Sequence, residues 1–204
     1  LTFLNIHFLI FSQVEKPNFK PYNPETTFRK LSKNYPQIAY PTLKLSKDVF
    51  LKKNIVYPSS SPTSKTLDIY VNTTKKSPLI ILIHGGGWIA GSKSNLEDMA
   101  IALSNRGYSV ATLSYTLSIE KKYPQSVLDI KHALVSLKKN EAKWNYDTKK
   151  IAILGCSAGA QLATLVGVTP NHPQFKTQDK VSESIQAIIN VDGIVSFVHP
   201  EASK

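Results

Sequence analysis

From residue 79 onwards the apolar positions of the chain fall into two alternating patterns. The first is a short continuous apolar run, which is typical of a strand buried on both faces of a parallel sheet. These runs are residues 79–83, 108–113, 151–154 and 185–191. The second pattern repeats every three to four residues and predicts helices between the runs. Their alternation predicts right-handed strand–helix–strand units.

Three helices are predicted between these strands. Ser94 and Glu97 have the spacing of a capping box at the start of the first helix, which we expect to end near Gly107. Pro124 opens the second helix, and the third covers residues 158–168. The predicted fold class is therefore α/β, with a mostly parallel, doubly wound sheet and helices on both of its faces.

The segment before the predicted sheet lacks the repeating apolar patterns described above. Residues 14–50 are rich in proline and show no sustained period, so we predict an extended arm. Residues 51–204 form the predicted folded domain. This domain opens with an antiparallel hairpin of residues 54–57 and 67–71, which flank a turn rich in serine and proline.

Residues 1–13 begin with an apolar run that is about as long as the central region of a signal peptide and too short to span a bilayer. We interpret this run as the remnant of a signal peptide, which predicts a secreted or periplasmic protein. The alternatives are a buried first strand or the boundary of a cloned fragment, and either of these leaves the protein in the cytoplasm.

The composition argues against a membrane span and against nucleic acid as a binding partner. Hydrophobic residues make up 42% of the 204-residue chain and charged residues 19%, which is typical of a globular protein without a membrane span. Lysine and arginine outnumber the acidic residues 25 to 14. The lysines form scattered pairs without interleaved aromatic residues, which favours a solvated basic surface over nucleic-acid binding. Cys156 is the only cysteine, so the chain itself can form neither a disulfide nor a cysteine-based metal site.

A Gly-x-Ser-x-Gly motif lies between the third apolar run and the third helix. Gly155, Ser157 and Gly159 supply its fixed positions, and Cys156 is predicted to fill the turn. In such a turn the glycines avoid a clash with neighbouring backbone, while the serine lies at the N-terminus of a helix, where N–H groups favour an oxyanion. The strand before the motif and the helix after it are the context that the motif requires.

A second motif follows the first apolar run. Gly85, Gly86 and Gly87 stand in succession, which makes the backbone costly to order. A catalytic role explains them, because the N–H groups of glycines can approach a substrate oxygen closely. We predict that the preceding His84 bonds the loop backbone rather than acting as a base, and that Trp88 packs the loop or borders the pocket.

Together these segments resemble the esterase and lipase branch of the α/β-hydrolase superfamily, which includes hormone-sensitive-lipase-like and feruloyl-esterase-like enzymes. The motif HGGGW precedes GCSAG, which lies in YDTKKIAILGCSAGAQLA. LDIYV resembles the second strand of that family, YPQSVLDIKHAL its helix before the serine, and IQAIINVDG its strand after the nucleophile helix.

This resemblance implies hydrolysis of a small-molecule carboxylic ester without a metal or organic cofactor. Ser157 would be the nucleophile, and the N–H groups of Gly86, Gly87 and Ala158 would form the oxyanion hole. The chain departs from the family at Thr116, where many relatives have arginine, so a supporting salt bridge is expected to be missing.

The sequence does not single out the acid and the histidine that would complete a catalytic triad with Ser157. On this fold the triad follows the chain order serine, acid, histidine. The available acids are Asp192 and Asp179, and the available histidines are His172 and His199. For Asp192 the alternative is a cap of the turn at Gly193, and for the two histidines it is a position in a surface loop.

Two hypotheses therefore remain at this point. In the first, the chain is an incomplete stretch of a longer esterase, in which further strands carry the triad acid and histidine. In the second, it is a catalytically inactive protein that binds a small ligand on the same fold. Cleavage of an amide or peptide bond by the same serine is a further alternative.

Overall fold

The computed structural model describes residues 22–198 and contains one mixed sheet of six strands. The strands are β1 (Val49–Tyr57), β2 (Lys65–Asn72), β3 (Ser77–Ile83), β4 (Ser109–Leu113), β5 (Tyr146–Cys156) and β6 (Ala187–Val191). The helices are α1 (Pro24–Leu31), α2 (Glu97–Ser104), α3 (Gln125–Lys139), α4 (Glu141–Trp144) and α5 (Ala158–Val168). The apolar run of residues 1–13 and His199 lie outside the described residues.

The strand order in the sheet is β1-β2-β4-β3-β5-β6. From β4 to β6 the neighbouring strands are parallel, whereas β2 pairs antiparallel with both β1 and β4. The predicted hairpin and mostly parallel sheet are confirmed. Ile83 at the end of β3 lies opposite Gly155 near the end of β5, so the loops that follow these two strands meet at one edge of the sheet.

Helices cover both faces of the sheet, as predicted. α3 and α5 pack on one face, where Ile130, Leu134 and Leu162 join Ile81 and Ile83 in the larger apolar core. A second apolar cluster on the opposite face joins α2 to β2, β3 and β4. Each fully buried side chain of this kind contributes about 1.5–3 kcal/mol relative to an exposed one. Within residues 22–198, no helix combines the length and hydropathy needed to cross a bilayer.

A buried ion pair anchors the connection between α5 and β6. Lys131 Nζ in α3 lies 2.7 Å from Glu183 Oε2, and the two side chains are 0% and 1% exposed. Lys131 also donates to the carbonyl of Thr169, while Glu183 accepts from the N–H and hydroxyl of Thr177. The pair therefore holds the loop of residues 169–184 against α3.

The N-terminal arm is not extended throughout, which corrects the prediction for residues 14–50. Within it, α1 starts at Pro24, and the side chain of Asn23 accepts from the N–H of Thr26 at 2.9 Å. Proline suits the first position of a helix because its fixed φ is helical and no N–H is needed there. The proline that suggested an extended chain is thus a helix-start signal.

Two further boundaries differ from the prediction. The capping pair before α2 is Ser92 and Asn95, not Ser94 and Glu97: Asn95 Oδ1 accepts from the N–H of Ser92 at 3.0 Å, and a short 3-10 turn follows. β5 begins at Tyr146, five residues before the predicted apolar run, because Tyr146 and Asp147 pair with Ser77 and Pro78 of β3 ahead of a register shift.

We expect Glu183→Ala to lower the free energy of unfolding by about 3–5 kcal/mol, because it leaves the ammonium of Lys131 buried without its carboxylate. The matched control is Asp179→Ala, which removes the exposed pair with Lys139 on the same helix and should change stability by about 0–1 kcal/mol. Urea unfolding measures both. Similar losses in the two variants would contradict the structural role of the buried pair.

Candidate active site

Ser157 lies in the sharp turn between β5 and α5. Its backbone has φ 52° and ψ −121°, a combination that residues with side chains rarely adopt, and the residue is exposed. Its N–H donates to the carbonyl of Val191 at 2.8 Å, which ties the turn to the end of β6. The fold therefore holds Ser157 in a strained turn at the carboxyl edge of the sheet.

Gly155 and Gly159 allow this turn to pack closely. A Cβ on Gly155 would lie 2.5 Å from the backbone nitrogen of Ala160. A Cβ on Gly159 would lie 2.7 Å from the carbonyl carbon of His84 and would overlap the neighbouring carbonyl oxygens. Distances this short do not occur between real atoms, so both positions require glycine for space rather than for φ.

The three-glycine loop lies directly beside the turn. A Cβ on Gly85 would lie 2.7 Å from Cys156 O and 3.3 Å from Ser157 Cβ. Gly86 and Gly87 have φ of 120° and 59°, the region that favours glycine. Within residues 22–198, the N–H groups of Gly86 and Gly87 donate to no protein acceptor. Ala158 is the first residue of α5, where helix geometry leaves the N–H without an intrahelical partner.

His84 is buried behind this loop. Its Nδ1 lies 2.8 Å from the carbonyl oxygen of Gly85, and its ring stacks on Tyr115 with centroids 4.3 Å apart. Among the described residues nothing bonds its Nε2. Burial lowers the pKa of His84 to about 4, and the hydrogen bond to Gly85 only partly opposes this shift. The imidazole is therefore neutral at pH 7, and its Nδ1–H donates to the loop.

Trp88 connects the glycine loop to α5. Its Nε1 donates to Gln161 Oε1 at 3.2 Å, and its ring lies 6.1 Å from the ring of Phe197. Its backbone φ of 62° is unusual for a residue of this size, so surrounding contacts must hold it in place. Sequence reasoning did not identify Gln161 as a contact of the loop.

The segment that follows β4 holds the three-glycine loop through hydrogen bonds. The sequence analysis did not predict these contacts. Tyr115 Oη donates to the carbonyl of His84 at 2.9 Å, and the N–H of Ser118 donates to the carbonyl of Trp88 at 2.8 Å. Asp129 in α3 fixes this segment by accepting from the N–H of Thr116 at 2.8 Å and from its hydroxyl. The signal for this segment in the sequence is Tyr115-Thr116-Leu117, where the resemblance implied an arginine at the central position.

The carboxylate of Asp129 is satisfied by neutral donors. Besides Thr116, the carboxylate of Asp129 accepts from Ser59 Oγ at 2.5 Å and from Gln125 Nε2 at 2.8 Å. Within residues 22–198, the ion pairs do not include Asp129. Neutral donors thus satisfy the buried carboxylate oxygens of Asp129.

The structure does not bring Asp179 or His172 to Ser157. Asp179 pairs with Lys139 at the C-terminal end of α3, next to the start of β5 and at the opposite edge of the sheet. His172 is exposed and stacks on Phe175 with centroids 5.2 Å apart. Within residues 22–198, no side chain bonds Ser157 Oγ, and no group of three His, Cys, Asp or Glu side chains could hold a metal ion.

Asp192 follows β6, close to the serine turn in the sheet. Its φ is 57°, and the described residues form no side-chain hydrogen bond with it. The predicted cap of the turn belongs to a different residue, because Asn190 Oδ1 accepts from the N–H of Gly193 at 2.8 Å. Asn190 also donates to Thr164 in α5 at 2.9 Å, which orients its amide for this role.

Solved structures with the same architecture include esterases. An inhibited esterase B from Lactobacillus rhamnosis superposes with a TM-score of 0.57 at 26% identity, over 70% of this chain and 46% of that chain. A bifunctional GH43-CE protein of Bacteroides eggerthii superposes with a TM-score of 0.60 at 25% identity, over 74% of this chain and 21% of that chain. The fold is that of an α/β-hydrolase of the esterase and lipase branch.

The sequence matches the BD-FAE family model over residues 67–204, and the chain belongs to this family. It is also similar to esterase LipC of Mycobacterium tuberculosis, with 31% identity over 59% of this chain, and to an arylesterase of Saccharolobus solfataricus, with 32% identity over 50%. The matched segments span 30% and 34% of the length of these two relatives.

We expect Gly159→Ala to lower the free energy of unfolding by about 3 kcal/mol or more, because the new Cβ would collide with main-chain atoms that cannot move independently. Gly87→Ala is the matched control. Its Cβ would have open space, with Ile89 Cγ1 at 3.9 Å, so only the positive φ opposes it, at about 1–2 kcal/mol. Urea midpoints compare the two, and equal losses would contradict the packing argument.

Because His84 is buried in its neutral form, we expect the free energy of unfolding to depend on pH. Its pKa is lowered in the folded state to about 4, whereas in the unfolded chain it is about 6.5. The unfolded state therefore binds more protons between these values, and stability is lost as the pH falls from about 6.5 towards 4. The full difference is about 3 kcal/mol.

His84→Asn should remove this part of the pH dependence, whereas His172→Asn, in an exposed loop, should retain it. The measurement is the free energy of unfolding of the three proteins at pH 7 and pH 4. The same decrease in His84→Asn as in the unmodified protein would show that His84 is not held neutral by burial.

Proposed function

We propose that the chain carries the nucleophile and oxyanion hole of a carboxylic ester hydrolase. The observation that supports this most directly is the contact between the strained, exposed Ser157 turn and the Gly85–Gly86–Gly87 loop. Among the described residues, the second and third N–H groups of that loop have no acceptor. The names of the relatives are consistent with it, because LipC and the Saccharolobus solfataricus protein are an esterase and an arylesterase.

In the proposed reaction, Ser157 Oγ attacks the carbonyl carbon of the ester while its proton passes to a general base. The N–H groups of Gly86, Gly87 and Ala158 hold the negative oxygen of the tetrahedral intermediate. Collapse of this intermediate breaks the bond to the alcohol, which leaves with a proton, and water then releases the acid from the acyl-enzyme. A single donor of this kind contributes about 3–4 kcal/mol to the transition state.

Support for the oxyanion hole comes from how the loop is held. The neutral His84 bonds it from within, Tyr115 and Ser118 bond it from the segment after β4, and Trp88 connects it to α5. Donors that are fixed before the substrate arrives need no reorganisation during the reaction, which is the main source of their effect.

The general base and its acid are proposed to lie outside the described residues. A histidine is required, because a serine hydroxyl without a base is a weak nucleophile at neutral pH. His84 does not fill this role, since its Nδ1 is engaged with Gly85 and its ring is buried behind the loop. The alternative function, a ligand-binding protein without turnover, shares the same pocket but needs no base.

A fluorophosphonate probe distinguishes the two functions. We expect stoichiometric labelling of the full-length protein and loss of labelling in its Ser157→Ala variant, because the phosphonate captures an activated serine and mimics the tetrahedral intermediate. Mass spectrometry of the intact protein measures the label. Ser136→Ala, on α3 and away from the turn, serves as the control and should label normally. Absence of label in the unmodified protein would favour the ligand-binding alternative.

A further inference from the structure

The segment that carries the glycine loop leaves β3 after Ile83 and reaches Lys93, the first residue of a short 3-10 turn. Two contacts hold this second end. The N–H of Lys93 donates to Ser114 Oγ, just after β4, at 3.2 Å. Lys93 Nζ lies 2.6 Å from Asp68 Oδ1 in β2. Because β4 lies between β3 and β2 in the sheet, the segment crosses β4 before it is fixed again.

The ion pair of Lys93 with Asp68 is largely out of water, since the two side chains are 14% and 7% exposed. Lys93 Nζ also donates to Asn54 Oδ1 at 2.8 Å, and the N–H of Asn54 donates to the same carboxylate oxygen at 2.7 Å. Asn54 lies at the irregular part of β1 and has φ 59°. The pair therefore joins the end of the loop segment to the hairpin of β1 and β2.

A short path of close contacts leads from Lys93 back to the oxyanion donors. Two residues before it, a Cβ on Gly91 would lie 2.5 Å from Gly85 O and 2.7 Å from His84 Nδ1. These two atoms form the hydrogen bond that holds the start of the glycine loop. Gly86, whose N–H is a proposed donor, is the next residue in the chain. A displacement at Lys93 thus reaches the donors through backbone contacts that no change of rotamer can relax.

We propose that Lys93 is a positioning residue for the oxyanion hole, which acts through its ion pair with Asp68 to hold the N–H groups of Gly86 and Gly87 in place. The inference rests on the proposed function, because the position of these groups matters to the reaction only if they bind an oxyanion. Removal of one partner of a largely buried pair leaves the other charge uncompensated, so the charge of Lys93 is as important as its length.

Hydrogen exchange tests the hold on the loop without reference to catalysis. The N–H groups of Ile89 and Ala90 donate to the carbonyl of Gly86 at 3.2 and 3.0 Å, and they exchange only when the loop opens. Lys93→Met keeps the length of the side chain and removes its charge. We expect it to speed the exchange of these two amides about tenfold, as measured by NMR.

Lys53→Met is the matched control for the exchange measurement. Lys53 lies in β1 of the same hairpin and pairs with Glu97 at 2.6 Å, but the two side chains are 46% and 39% exposed and hold no part of the loop segment. Loss of an exposed pair of this kind has little effect on the fold. The exchange of Ile89 and Ala90 should therefore stay unchanged in this variant.

Ester hydrolysis by the full-length protein tests the consequence for the oxyanion hole. With p-nitrophenyl acetate, we expect Lys93→Met to lower kcat about 10- to 100-fold and to change KM less than twofold, because misplaced donors weaken the transition state more than the bound ester. Lys93→Arg keeps the charge and should retain most of kcat. Lys53→Met should leave both constants unchanged.

Asp68→Asn keeps the test open if Lys93→Met does not fold, because it removes the charge of the other partner. It should also speed exchange in the loop and lower kcat. The two substitutions together should lower kcat no further than Lys93→Met alone, since both remove the same interaction.

Unchanged exchange of Ile89 and Ala90 in the folded variants would overturn the inference, and so would a rise in KM with kcat unchanged. Absence of hydrolysis by the unmodified protein would instead refute the proposed function. The exchange measurement would still decide whether the ion pair holds the loop, so the two proposals fail separately.

Discussion

The close contact between the β5–α5 turn and the end of β3 is the constraint on which the rest of the site depends. Main-chain atoms meet there without intervening side chains: Gly159 lies against the carbonyl of His84, and Gly85 lies against Cys156 and Ser157. Backbone contacts of this kind are rigid, because no side chain can change rotamer to relax them. The same contact strains the backbone of Ser157 and sets the position of the glycine loop beside it.

A layer of buried polar groups keeps that loop in place. His84 is neutral because it is buried, and it can therefore donate to the loop without bringing a charge into the core. Tyr115 and Ser118 hold the loop from the segment after β4, and Asp129 holds that segment in turn. Since Asp129 is satisfied by hydroxyl, amide and backbone donors, its hold on this segment does not require a cationic side chain at position 116.

Features set by neighbouring residues follow from the sequence, whereas features set by distant residues do not. The strands, the helix after Ser157 and the reason for Gly155 and Gly159 follow from apolar spacing and from the motif. The helix in the arm was missed because one proline at a helix start resembles the many prolines of an extended segment. The cap at Gly193 was assigned to Asp192, while Asn190 provides it, because α5 orients the amide of Asn190.

The sequence by itself determined the α/β class, the parallel strands and the two glycine motifs, because these depend on periodicity and on local steric limits. Only the tertiary structure decided which groups meet: the hydrogen bonds that hold the glycine loop, and the Lys131–Glu183 pair. Each of these joins residues that are far apart in the chain, and their partners depend on the packing of several elements at once. The spacing of apolar residues indicates which face of an element is buried, but it does not indicate which residues pack against that face.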